Sequence, residues 1–132
     1  MRYVLFACTH NAGRSQMAQA FFEKHAPEDL RAESAGQAPA DAIWPNVVEA
    51  MREKEIDLAD RKPKKIEIEM QLRAHRAITL NCQDICPYVI GDVEDWDVDD
   101  PADQPLEKVR EIRDEIERHV RQLLDELDRQ HR

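Results

Sequence analysis

A chain of 132 residues with 42% hydrophobic content, two Trp, two Tyr and three Phe can bury one adequate core, which excludes a disordered polypeptide. Its formal charge of −9 sets it against the phosphate backbone of nucleic acids and favours solubility. No apolar run approaches the ~20 residues of a membrane span and no signal-type leader opens the chain, so a cytoplasmic monomer with neither nucleic acid nor membrane as partner is expected.

Tyr3-Val4-Leu5-Phe6-Ala7 has the character of a buried strand, and Cys8-Thr9-His10-Asn11-Ala12-Gly13-Arg14-Ser15 follows it directly. Behind that stretch, Met17, Ala18, Ala20, Phe21 and Phe22 give Arg14 to His25 the pattern of an amphipathic helix packed on a sheet, stopped by Pro27. A strand, a tight loop and a helix N-terminus in that order make an anion cradle, because loop amides and the free N–H groups of the first helical turn converge.

Leu30 to Ser34 reads as a second strand ending at Ala35-Gly36, and Gln37 to Ala42 as loop. Pro45 to Lys54 carries Val47, Val48 and Met51 at helical spacing with proline in the first turn, and Trp44 before it is expected to pack. Arg61-Lys62-Pro63-Lys64-Lys65 is the one dense basic run, a solvated loop by composition and a candidate surface for an acidic redox partner. Ile66 to Leu72 fits a short helix, while the alternation of Ile66, Ile68, Met70 and Leu72 fits a strand equally.

Ala77-Ile78-Thr79-Leu80 reads as a third buried strand that delivers Asn81 and Cys82 at its C-terminal end. Glu94 to Val98 is a weak fourth strand, and Asp99 to Asp103 an acidic turn. Leu106 to Arg129 closes the chain as a long helix with Leu106, Val109, Ile112, Ile116, Val120, Leu123, Leu124 and Leu127 on one stripe. Strands alternating with helices imply βαβ units in an α/β fold, with one domain over residues 1–132. In an open parallel sheet ligands bind beyond the carboxyl ends of the strands, so Cys8 and Cys82 are expected on one edge.

Three cysteines are an odd number for a disulfide framework and point to thiol chemistry. The helix N-terminus, Arg14 and the Ser15 hydroxyl all favour a thiolate at Cys8. Its sulfur can then attack a tetrahedral oxyanion such as phosphate or arsenate while the planar guanidinium grips two oxygens. Thr9, His10, Asn11, Ala12, Gly13, Arg14 and Ser15 are the expected binding residues. Gly13 gives the backbone room, the short amide of Asn11 suits a left-handed turn, and His10 shapes the loop or helps to keep Cys8 ionised. Cys82, Cys86 and His75 supply three of the four ligands a structural zinc site needs, so no metal and no cofactor are expected.

Cys8 through Ala18, Cys-Thr-His-Asn-Ala-Gly-Arg-Ser-Gln-Met-Ala, resembles the signature of the low-molecular-weight tyrosine phosphatase superfamily, and from Asn11 onward that of its arsenate reductase branch. The resemblance implies a three-layer sandwich on a four-stranded parallel sheet. It implies that Asp100 before Pro101 is the general acid, although Asp99 beside it leaves open which of the two carries the proton. It also implies that Ser34, in a Ser-Ala-Gly strand end, lies beside the loop, where a bond to Asn11 and a plain strand-end role are both open.

Ala102 and Asp103 follow the proline where the phosphatase branch carries tyrosines, which disfavours phosphotyrosine as substrate. Cys82 and Cys86 match the resolving cysteines of thioredoxin-coupled arsenate reductases, though only three residues separate them, fewer than in the best-known members. The expected function is therefore arsenate reduction through a Cys8 adduct, with Cys82 and Cys86 passing a disulfide to thioredoxin. The alternatives are a low-molecular-weight phosphatase using Cys8, Arg14 and Asp100, an arsenate–mycothiol transferase that hands its arsenic to a small thiol, and a non-catalytic oxyanion or redox-sensing module.

Overall fold

The structure, a computed structural model, describes residues 2–81 and 92–131. Its elements in order are β1 (Arg2–Cys8), α1 (Arg14–His25), β2 (Leu30–Gly36), α2 (Pro45–Arg52), α3 (Ile68–Arg73), β3 (Ala74–Leu80), β4 (Asp92–Trp96) and α4 (Leu106–His131). The four strands form one parallel sheet in the order β2-β1-β3-β4. This is the three-layer α/β arrangement expected of the chain.

Parallel strands covered on both faces read as unbroken apolar runs, and Val4, Leu5, Phe6 and Ala7 are all fully buried. Alternation along β1 sends Val4 and Phe6 to one face and Leu5 to the other. Val4 and Phe6 join the larger core beneath α1, α2 and α4, with Phe21, Phe22, Met51 and Ile116. Leu5 joins Ala35, Met70, Ala74 and Ala77 in the smaller core beneath α3. The α4 stripe buries Val109, Ile112, Ile116, Val120, Leu123 and Leu127, while Leu106 and Leu124 are partly buried at its margin.

From β1 the chain runs to β2 on one side and returns to β3 on the other. The gap beyond the ends of β1 and β3 is thus the point where the winding reverses, the usual ligand crevice of such sheets. Cys8, the last residue of β1 and paired with Gly36 of β2, is carried to that crevice by the topology itself.

Three stretches differ from the reading of their residues. The segment 64–73 forms no strand of its own: it makes one isolated bridge, in which Gly36 N donates to Lys64 O at 2.8 Å and Ile66 N to Gly36 O at 3.0 Å, and then turns into α3 from Ile68. Only Met70 of α3's apolar residues is buried, leaving Ile68 and Leu72 about half exposed, because so short a helix presents one face to the sheet. β3 begins at Ala74, before its apolar run, since the ladder with β1 pairs Tyr3 with Ala74 and, after a register shift past His75, Val4 with Arg76, where the buried Arg76 reaches Glu126 at 3.2 Å. β4 occupies 92–96 rather than 94–98, an acidic edge strand held by its pairing to β3 and by Thr79 Oγ1 donating to Asp95 at 2.6 Å. Among the described residues, no helix is long and apolar enough to cross a membrane.

Candidate active site

Residues 9–13 close around the end of β1 because their carbonyls are held from outside. Ala38 N donates to Thr9 O at 2.8 Å, Ala40 N to His10 O at 3.0 Å and Trp44 N to Ala12 O at 3.1 Å. In a trans peptide the C=O and the next N–H point opposite ways, so these bonds turn the following amides inward. The amide of Asn11 reaches Cys8 Sγ at 3.2 Å. Asn11 is fully buried with φ of 51°, a left-handed turn that a short amide side chain tolerates.

Close approach dictates the two glycines among the described residues, Gly13 and Gly36. A Cβ on Gly13 would stand 2.9 Å from Pro101 Cγ and 3.0 Å from the Trp44 ring; one on Gly36 would stand 2.7 Å from Thr9 O. Gly13 is also the residue before α1, and its carbonyl receives Met17 N at 3.0 Å, so the helix opens directly onto the loop. The free N–H groups of that first turn face the same space as the loop amides.

Cys8 is buried, with Ser15 Oγ 2.8 Å from its sulfur. Ser15 Oγ in turn accepts from Asn11 Nδ2 at 2.7 Å. An N–H and a hydroxyl directed at sulfur stabilise its ionised form over the thiol. Arg14 is buried as well, its Nη1 donating to Val98 O at 3.0 Å and its Nη2 lying 3.7 Å from Asp100 Oδ2. The guanidinium is thereby braced on the loop between β4 and α4 rather than free on the helix surface. α1 is buried on more than its apolar stripe, because Arg14, Ser15, Gln16 and Gln19 are enclosed together with it.

The two adjacent aspartates separate spatially. Asp99 pairs with Lys108 at 2.9 Å, and its hydrogen bond raises the Lys108 pKa above 10.5. Asp100, about half exposed, turns toward Arg14 and accepts from Ala102 N at 3.0 Å. Asn46 Nδ2 holds the same turn by donating to Pro101 O at 2.9 Å and Gln104 O at 3.1 Å.

A cleft of about 580 Å³ opens beside these groups, lined by His10, Trp44, Asn46, Asp100, Asp103 and Gln104 among others. His10 Nδ1 lies 3.1 Å from Ala38 O, and its ring meets the Trp44 ring edge-on at 5.9 Å. Trp44 thus packs against the core and also walls the cleft.

Of the expected site residues, Cys8 to Ser15 run from the end of β1 through one loop into α1, Arg14 brings Asp100 to that loop, and Cys82 and Cys86 lie outside the described residues. Ser34 bonds a different partner from Asn11: its hydroxyl donates to Gln19 Oε1 at 2.5 Å, while Asn11 Oδ1 is occupied by Gln16 Nε2 and Lys64 N, both at 2.9 Å. His75 lies at the start of β3, about 17 Å of extended strand from Leu80 at its end, while the two cysteines grouped with it lie outside the described residues. Sequence reasoning assigned no role to Gln16, nor to the Val98 carbonyl and Lys64 amide, and backbone groups leave no residue-type signal to find.

Similarity to known proteins agrees with this geometry. A protein of Halobacterium salinarum, provisionally named an arsenate reductase, is 37% identical over 129 residues, spanning 93% of this chain and 91% of its own. Arsenate reductase 1 of Bacillus cereus is 35% identical over 117 residues, covering 86% and 87% of the two chains. The thioredoxin-dependent arsenate reductase of Corynebacterium glutamicum superposes with a TM-score of 0.84 at 32% identity over 97% of this chain, which spans only 62% of that one. Residues 3–132 match the low molecular weight phosphotyrosine protein phosphatase family, and the chain belongs to it.

Proposed function

We propose that the protein is an arsenate reductase working by thiol chemistry at Cys8, and that residues 1–132 act as one domain. The observation that carries this is the sulfur of Cys8 held by Asn11 N–H and the Ser15 hydroxyl, beside a loop that runs into α1, whose first residue, Arg14, reaches Asp100. The Cys8 thiolate forms an S–As bond as an arsenate oxygen leaves with a proton from Asp100, while Arg14 and the loop amides hold the remaining oxygens. Cys82 thiolate then attacks Cys8 sulfur. The S–As bond breaks with its electron pair on arsenic, so As(V) becomes As(III) and leaves as arsenite, and a Cys8–Cys82 disulfide remains. Cys86 attacks Cys82, freeing Cys8 as thiolate, and a dithiol protein of the thioredoxin kind in the cytoplasm returns two electrons to the Cys82–Cys86 disulfide. The relatives named as arsenate reductases, one of them thioredoxin-dependent, support this reading.

The experiment is arsenate-dependent oxidation of reductant, with thioredoxin and its reductase in one arm and small-thiol systems in the other. Turnover in the first arm supports the three-cysteine relay; turnover with mycothiol alone assigns the arsenic to a small thiol. A phosphatase reading is favoured by one feature, a cleft far larger than an oxyanion beside Asp100. Aryl phosphate hydrolysis that survives Cys82→Ser, without arsenate-dependent reductant consumption, selects it.

A further inference from the structure

Gln16, the third residue of α1, is almost fully buried, and its hydrogen bonds run to Asn11 and Lys62 rather than to the sulfur or the guanidinium. Its Nε2 lies 3.2 Å from Asn11 O, 2.9 Å from Asn11 Oδ1 and 3.4 Å from Lys62 O. Two of these are backbone carbonyls, which accept only, so the amide of Gln16 must present its NH2 there. The third partner, Asn11 Oδ1, also receives the backbone N–H of Lys64 at 2.9 Å, a group that donates only. Two fixed donors therefore converge on one side of the Asn11 amide. Its NH2 is left to face Ser15 Oγ at 2.7 Å. Ser15 has one hydroxyl hydrogen, and an ionised Cys8 sulfur, which only accepts, draws that hydrogen at 2.8 Å while the Ser15 oxygen accepts from Asn11.

We infer that Gln16 is a positioning residue: together with the Lys64 amide it fixes the Asn11 side chain so that hydrogen-bond donation runs one way, through Asn11 and Ser15, onto the sulfur of Cys8. Without Gln16 the loop keeps Ser15 within reach of sulfur but loses half of what sets the direction of its hydrogen. The inference rests on Cys8 as the reacting group, and it adds a residue that meets neither substrate nor thiolate.

The test is the pH profile of Cys8 alkylation by iodoacetamide, read at the Cys8 peptide by mass spectrometry, so that Cys82 and Cys86 do not contribute and no turnover is needed. Parent protein is compared with Gln16→Met, close in size but without donors, with Ser15→Ala, and with the double variant. Partial loss of the hydroxyl's direction is expected to lower the Gln16→Met rate at pH 6 about fivefold and move its midpoint upward. The double variant is expected to match Ser15→Ala alone, since Gln16 acts through the hydroxyl. A Gln16→Met profile equal to the parent, or effects that multiply in the double variant, would overturn the inference.

Asn11→Asp is the second arm, independent of how Gln16→Met folds. Its carboxylate accepts from Lys64 and Gln16 but cannot donate to Ser15, so the hydroxyl turns away from sulfur. The upward move of the midpoint is expected to be larger with Ser15 present than in the Ser15→Ala background; equal moves in both overturn the inference. A parent Cys8 that alkylates only at alkaline pH contradicts instead the reading of Cys8 as a cradle thiolate, which keeps the two failures distinct.

Discussion

Arg14 Nη2 lies 3.7 Å from Asp100 Oδ2, so the loop that would bind the oxyanion and the turn that would protonate its leaving oxygen meet at one guanidinium. The neighbouring Asp99 is turned away to Lys108. A like-charge pair in sequence is thus divided between two cations, and each carboxylate has its own neighbour.

Removal of the acid follows from this division. Asp100→Asn is expected to lower kcat by about a hundredfold or more, the range of a positioned general acid. Asp99→Asn, which loses only an exposed pair with Lys108, is expected to change kcat less than about twofold. Steady-state kinetics of the two variants side by side check both; equal losses would mean that the acid is not Asp100.

Gly13→Ala places a methyl against Pro101 and Trp44, at 2.9 and 3.0 Å. Overpacking of this kind costs about 1–3 kcal/mol, and here the strain falls between the loop and the Asp100 turn. Urea unfolding is expected to show that loss, with kcat/KM for arsenate reduced because Asp100 shifts relative to Arg14. A variant with parental stability and activity would show that the contact yields freely.

Acid stability has an identifiable source at the junction of α2 and α4. Glu53 accepts hydrogen bonds from Arg110 and then Arg113, which draw its pKa from 4.5 to about 2. A carboxyl whose value is lower in the folded chain adds stability above about 4.5 and loses it as the pH falls toward about 2. Glu53→Gln is therefore expected to lower stability at pH 7 and to make it fall less steeply between those limits. Urea melts at pH 7, 4 and 3 measure this, and an unchanged slope would place the acid sensitivity elsewhere.

The proposed relay through Cys82 and Cys86 gives a prediction of a different kind. Cys82→Ser and Cys86→Ser are expected to stop repeated turnover with a protein dithiol while leaving Cys8 competent to form one adduct with arsenate. Full multiple turnover of Cys82→Ser with thioredoxin would exclude the relay.

Much of the fold was legible because it is local. The apolar run of β1, the α4 stripe and the strand–loop–helix order of residues 2–25 are written in neighbouring residues. Contacts that bridge distant segments were not. Arg14 finds Val98 O across 84 positions and Asn11 finds Lys64 N across 53, and in both the partner is backbone, whose identity no side chain announces. The division of Asp99 from Asp100 belongs with these, since it depends on where α4 carries Lys108. Ser34 shows the other limit: the strand end could be placed beside the loop, but Gln19 on the helix reaches its hydroxyl first. Gln16 was visible as a residue and silent as a role, because a buried amide gains meaning only from the carbonyls around it.

The central claim is that Cys8 is the group that arsenate meets, and arsenite formation in the presence of thioredoxin and its reductase tests it most directly. The wild-type chain is expected to release one arsenite for each reductant dithiol oxidised, and Cys8→Ser none above background. Arsenite formation by Cys8→Ser at a comparable rate would contradict the account.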